Sequence, residues 1–124
     1  EKSVEVIVEG LISIGLLQGS KEENIETGAY SKFYMHRIGH WLGMDVHDVG
    51  GYKKDGDWRQ LEEGMVMTVE PGIYILDTLE DVDDKWKGIG VRIEDDISIT
   101  DSGFEVLTPN VPRTIEEVEH TVQG

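Results

Sequence analysis

Apolar side chains recur at Val4, Ile7, Val8, Leu11 and Ile14 near the start of the chain, a spacing that gathers them on one face of a helix. Gly15 supplies a residue tolerant of the left-handed conformation that stops such a helix, and Leu16 and Leu17 are placed to fold back on its last turn. Ser20-Lys21-Glu22-Glu23 has the form of a capping box and predicts a second, short helix to about Glu26. Helical periodicity fails from Phe33 to Gly51, where Gly39, Gly43, Gly50 and Gly51 interrupt it, and that segment reads as strand and loop. Leu61-Glu62-Glu63-Gly64 reads as a turn. Met65 to Glu70 reads as a short apolar strand, broken by Pro71-Gly72 and resumed by Ile73-Tyr74-Ile75. Asp77 to Lys87 is acidic and poor in apolar residues, which predicts an exposed loop or hairpin tip. From Ile89 to Thr100 the alternation predicts one continuous strand, with Val91, Ile93, Ile97 and Ile99 on one face and Arg92, Glu94, Asp96 and Ser98 on the other. Asp101-Ser102-Gly103 then turns the chain, and Phe104 to Leu107 can pair back as a hairpin. A second capping box, Thr114-Ile115-Glu116-Glu117, opens a terminal helix over Val118 and Val122. Helices at the ends around several antiparallel strands make the expected class α+β, with no repeat, low-complexity tract or linker.

A length of 124 residues allows one domain and one core. The net charge of −15 repels phosphate backbones and anionic lipid, so neither a nucleic acid nor a membrane surface is an expected partner. The sequence has no cysteine, which excludes disulfides, thiolate metal sites and cysteine nucleophiles together. Any metal must therefore sit on His, Asp and Glu, a donor set suited to hard or borderline ions. No apolar run is long enough to span a membrane and no basic-plus-apolar leader opens the chain, so the cytoplasm is the expected compartment. The first residues enter a helical pattern directly, without a Met, so the N-terminus reads as cut.

Three histidines fall close together: His36, His40 and His47. The helical zinc-protease motif is absent, because Arg37-Ile38-Gly39 fills the gap between the first two and the glycine opposes a helix. Each histidine alone is explained as a polar side chain in a strand-and-loop region; the cluster, within an acid-rich chain, is also a natural divalent-metal site. Glu70 closes an apolar strand before the Pro-Gly turn, where a carboxylate needs no special role. Glu94 lies on the polar face of the long predicted strand, flanked by Arg92 and Asp96, and reads equally as a solvated ion-pairing residue or as part of a functional face. One His and two strand-borne Glu can supply three ligands to a hard-metal centre.

The run His36-Arg37-Ile38-Gly39-His40-Trp41-Leu42-Gly43-Met44-Asp45-Val46-His47-Asp48-Val49-Gly50 closely resembles the signature of Xaa-Pro aminopeptidases and prolidases of metallopeptidase family M24. So do Glu63-Gly64-Met65-Val66-Met67-Thr68-Val69-Glu70-Pro71-Gly72-Ile73-Tyr74 and Gly88-Ile89-Gly90-Val91-Arg92-Ile93-Glu94-Asp95-Asp96. Three long motifs in order form a highly specific signal, and the tail most resembles the aminopeptidase P branch. The resemblance implies the pita-bread (creatinase/aminopeptidase-like) fold, here its C-terminal half with a curved antiparallel sheet and flanking helices, so that residues 1–124 form a single partial catalytic domain. It implies a site for two divalent cations, manganese most often and cobalt or zinc in some members. His40, Glu70 and Glu94 match metal ligands, with Glu94 bridging the two ions. His36 and His47 match histidines that contact substrate, Glu70 also matches the general base, and Arg92 matches an arginine that steadies the ligands. The implied reaction is hydrolysis of the N-terminal Xaa-Pro bond, through a hydroxide shared by the metals, in a peptide with proline at its second position.

The family uses five protein ligands, and two of them are aspartates upstream of the first histidine motif that have no counterpart here. The chain alone is therefore expected to lack activity, and its half-sheet to present edges that favour a homo-oligomer. Prolidase, acting on Xaa-Pro dipeptides, is the alternative enzyme reading. A non-catalytic interaction module on the same half-fold is the alternative from another class.

Overall fold

In the computed structural model, which describes residues 2–124, the chain divides into two compact units: Glu1–Ile38 with Pro71–Arg92, and Gly39–Glu70 with Ile93–Gly124. The first unit opens with helix α1 (Lys2–Ser13), which buries Ile7, Val8 and Leu11. Gly15 adopts φ +79° after it, and the amides of Leu16 and Leu17 both donate to Leu11 O, at 2.9 and 3.2 Å, turning Leu17 into the core. Helix α2 (Lys21–Thr27) starts where Ser20 accepts a hydrogen bond from the Glu23 amide, and Gly28 stops it at φ +69°. A short 3-10 turn, Ala29–Lys32, carries the chain to Phe33, whose carbonyl accepts from the Tyr74 amide at 2.9 Å. Tyr74 lies in strand β4 (Gly72–Ile75), which pairs antiparallel with β5 (Ile89–Arg92). Ile7, Val8, Leu11, Leu17, Phe33, Tyr34, Ile75 and Val82 form the buried apolar cluster. Val82 belongs to the acidic Asp77–Lys87 stretch, which is mostly exposed as expected but anchored from beneath: Leu79 and Trp86 also pack on the cluster.

In the second unit, β3 (Val66–Val69), β6 (Asp95–Thr100) and β7 (Gly103–Val106) form an antiparallel sheet in the order β3-β6-β7. A two-residue hairpin joins β1 (Lys53–Lys54) to β2 (Asp57–Trp58) through Asp55 and Gly56, both at positive φ as the tight hairpin turn requires. Helix α3 (Ile115–Gln123) begins with a complete capping box between Thr114 and Glu117.

The strand predicted from Ile89 to Thr100 is two strands. Pairing stops at Ile93 and Glu94, and β5 and β6 have different partners, β4 and β3. Pro71 between β3 and β4 has no amide to give to a ladder. Glu94 is therefore not mid-strand: it lies just outside β6. The segment from Phe33 to Gly51 forms no regular strand, and beyond its 3-10 end it is loop with a single antiparallel bridge, Trp41 to Met67.

Candidate metal centre

The site is built on β3. Residues 40–42 run along its free edge: the Thr68 amide donates to His40 O at 2.9 Å and the Leu42 amide to Val66 O at 3.1 Å. Gly39 permits this approach, since a Cβ there would lie 1.9 Å from Thr68 O. Gly43 and Gly50 have equally local reasons, a Cβ at the first meeting the Asp48 carboxylate at 1.8 Å and at the second the Trp41 ring at 2.4 Å. Gly39, Gly43 and Gly50, three of the four glycines that break helical periodicity, are thus the points where the histidine loop folds against itself and against β3.

Thr68 is 2% exposed and connects two of the candidate ligands. Its Oγ1 accepts from the His40 amide at 3.0 Å and donates to Glu70 Oε1 at 3.1 Å. Residues two apart on a strand share a face, so the Thr68 hydroxyl and the Glu70 carboxylate point the same way. His40 Nδ1 lies 2.9 Å from Trp41 O, a carbonyl that only accepts, so in the neutral ring the proton sits on Nδ1 and Nε2 carries the lone pair. That Nε2 is 3.4 Å from Glu70 Oε1. In the β3–β6 register Val69 faces Asp95, so the next residues outward, Glu70 and Glu94, face each other. One ligand atom from each of His40, Glu70 and Glu94 lies within 4.8 Å of the others. Two facing carboxylates repel, and a cation between them removes the repulsion.

Of the other predicted site residues, His47 is in this unit, exposed, with its ring edge-on to His40 at 4.4 Å. His36 and Arg92 belong to the first unit. The His36 ring sits edge-on between Tyr34 at 5.1 Å and Tyr74 at 5.5 Å. Its Nδ1 lies 2.7 Å from Arg37 O, and its buried Nε2 makes no hydrogen bond. By the same tautomer logic that Nε2 accepts in the neutral ring and donates only in the imidazolium. The Arg92 guanidinium lies 5.7 Å from the centre of the Tyr74 ring. Asp95, beside Glu94, is bound by Arg113 and Thr108, whose hydrogen bonds hold its carboxyl below the usual carboxylate range.

Comparison with known proteins places this geometry in a family. The model of metallopeptidase family M24 matches residues 4–101. The chain belongs to that family. It is 49% identical over 120 residues to the Xaa-Pro aminopeptidase of Haemophilus influenzae, and 51% identical over 116 residues to that of Escherichia coli. These alignments cover 97% and 94% of this chain but 27% and 26% of the relatives, so the chain spans about a quarter of their length. A rat Xaa-Pro dipeptidase is 41% identical over 145 residues, covering 94% of the chain and 29% of the relative. Among solved structures, the Pseudomonas aeruginosa aminopeptidase PepP superposes with a TM-score of 0.93 at 58% identity, over 97% of this chain and 27% of that one. Aminopeptidase P from E. coli with the inhibitor Pro-Leu superposes at 0.87 and 50% identity, over 94% of this chain and 26% of that one. The pita-bread α+β architecture expected from the motifs is thereby borne out for the part the chain spans.

Membership in a metallopeptidase family implies divalent ions, and the cluster of His40, Glu70 and Glu94 fits one. An ion coordinated at about 2.0–2.3 Å by imidazole and carboxylate sets its ligand atoms about 3–4.5 Å apart, and the three ligand atoms here gather within 4.8 Å of one another. The bare Nε2 of His40 is the atom such an ion requires. The residue that sequence reasoning missed is Thr68, although a Thr two positions before a candidate ligand, on the same strand face, was the available signal. Among the described residues no helix is long and apolar enough to cross a membrane.

Proposed function

We propose that this chain contributes part of the metal-binding catalytic centre of an Xaa-Pro aminopeptidase, acting on peptides with proline at the second position. The reading rests on one observation above all: His40, Glu70 and Glu94 gather their ligand atoms within 4.8 Å, in a chain about half identical to two bacterial Xaa-Pro aminopeptidases. Two divalent ions, manganese by preference with cobalt or zinc as substitutes, would activate water and polarise the peptide carbonyl. His40 Nε2 and the Glu70 and Glu94 carboxylates are the groups that would hold them. Glu70 takes the proton from the attacking water and returns it to the leaving proline nitrogen. His36 and His47 donate hydrogen bonds to the substrate carbonyl. Arg92 balances the carboxylate charge. Only three candidate ligands gather among the described residues, so the chain alone holds one ion weakly and turns over no substrate. The cytoplasm is the proposed compartment. A homo-oligomer is proposed to cover exposed apolar side chains such as Val91.

The test is a chimera in which this chain replaces the matching quarter of the E. coli Xaa-Pro aminopeptidase. With Mn2+ it should cleave an Xaa-Pro-Yaa tripeptide, and His40→Ala, Glu70→Gln and Glu94→Gln should each abolish turnover. A folded chimera whose activity survives Glu94→Gln would overturn the ligand assignment. The rat dipeptidase similarity favours a second reading, Xaa-Pro dipeptidase, which predicts that the complete protein cleaves dipeptides and leaves tripeptides intact.

A further inference from the structure

Thr68 accounts for the placement of His40 and Glu70 but touches nothing on Glu94. Glu94 is exposed and lies outside β6, where no ladder hydrogen bond holds it. The best-held group next to it is the side chain of Asp95. Arg113 donates to that carboxylate from two nitrogens, Nε to Oδ2 at 2.6 Å and Nη2 to Oδ1 at 2.7 Å. Thr108 Oγ1 adds a third bond to Oδ1 at 2.6 Å. The assembly closes on itself: Arg113 Nη2 also donates to Thr108 O at 2.8 Å, and Thr108 Oγ1 accepts from the Asp96 amide at 3.2 Å. Both partners are largely shielded, the Arg113 side chain being 34% exposed and that of Asp95 20%. A two-pronged guanidinium contact fixes a carboxylate in direction as well as in position.

We infer that Arg113 is a positioning residue for Glu94, acting through Asp95 to hold the backbone from which Glu94 reaches the metal. This rests on the reading of His40, Glu70 and Glu94 as a metal site. Facing Glu70, an unrestrained Glu94 carboxylate swings away in the absence of an ion, and each binding event must bring it back. Clamping the adjacent residue removes part of that freedom in advance, so the clamp acts on metal affinity.

The experiment is calorimetric titration of the 124-residue chain with Mn2+ alone, alongside circular dichroism and thermal melting. Arg113→Met should weaken binding by about 10-fold or more, the range found for partners that orient metal ligands. Arg113→Lys, which keeps the charge but loses the fork, should recover only part of it. Thr114→Ala removes the cap of α3 without touching Asp95 or Thr108, and should lower the melting temperature while leaving Mn2+ affinity unchanged. If Arg113→Met fails to fold, Thr108→Val tests the same clamp from its other side and should also weaken binding. Equal affinity in wild type and a folded Arg113→Met, or an equal loss in Thr114→Ala, would overturn the inference while leaving the metal site standing. A wild-type chain that takes up no Mn2+ would overturn the metal reading, and the positioning role with it.

Discussion

The two units of this chain bury different sets of side chains, the first a mostly apolar one in which Asn24 is the buried polar residue. In the first, every member of the apolar cluster is in place: α1 supplies Ile7, Val8 and Leu11, and Leu17, Phe33, Tyr34, Ile75 and Val82 close over them. In the second, the buried side chains among the described residues are Thr68 and Glu70, both polar, while Met44, Val46, Val49, Trp58 and Phe104 are exposed. The first unit is held by removal of apolar surface from water, which requires nothing beyond its own side chains. The second is held by ladder hydrogen bonds and a polar network whose carboxylates face each other. Its stability is therefore tied to what occupies the site, whereas that of the first is not.

The largest expected effect tests the first half of this contrast. Phe33 is fully buried, and Phe33→Ala should destabilise the first unit by about 3–5 kcal/mol. Chemical denaturation followed through Trp86, which packs on that cluster, checks it. A loss below about 1 kcal/mol would mean that the cluster is not what holds the unit.

Next in size is the response to a divalent ion. At a Mn2+ concentration 100 times the dissociation constant, linkage adds about 2.7 kcal/mol to whatever unfolds with the site. Hydrogen exchange should slow at Val66–Val69 and Asp95–Thr100 and stay unchanged in α1. Equal protection of both units would erase the distinction between them.

Thr68→Val sharpens the comparison within the second unit. It removes the Thr68 hydroxyl that accepts from the His40 amide and donates to Glu70, and should cost about 1–3 kcal/mol. Mn2+ affinity should fall with it, because both ligands lose their support. A stable variant with intact affinity would show that Thr68 only fills space.

The smallest effect is a pH dependence in α3. The Glu117 carboxyl is held below its ordinary value by the backbone amides of Thr114 and Arg113, which donate to it. A depressed folded-state value means that its contribution is complete above the ordinary value of 4.5 and disappears as the pH falls through the folded one. Helix content should drop on acidification below about pH 4.5, and Glu117→Gln should flatten that step. An identical acid transition in the variant would place the responsible group elsewhere.

Short-range patterns were legible wherever one element answers to its own neighbours. The stop at Gly15 with Leu16 and Leu17 folded back, the cap at Ser20 and the box at Thr114–Glu117 all followed from sequence, because each is a contact among residues a few positions apart. The ligand triad was legible by a different route, through motif resemblance, since spacing alone left Glu94 balanced between a solvated ion pair and a functional face. The acidic stretch is mostly exposed, as its composition implies, and what the sequence did not show is that Leu79, Val82 and Trp86 tie it to a core built elsewhere in the chain.

What sequence could not decide lies in the partners of strands. The alternation from Ile89 to Thr100 fails only at Asp95, a polar residue on the apolar face, and that single exception does not mark Ile93 and Glu94 as the place where pairing breaks, β5 going to β4 and β6 to β3. That break takes Glu94 out of the ladder and turns it towards Glu70. Thr68 and Arg113 are likewise ordinary residues in their own segments, and acquire their roles only when β3 meets the histidine loop and the Thr108–Arg113 turn meets Asp95. Helix caps and turns are decided by dihedral angles and hydrogen bonds within one turn of chain, which local residues control. The metal-binding arrangement is decided by strand register and by polar contacts between remote segments, and those exist only in the folded chain.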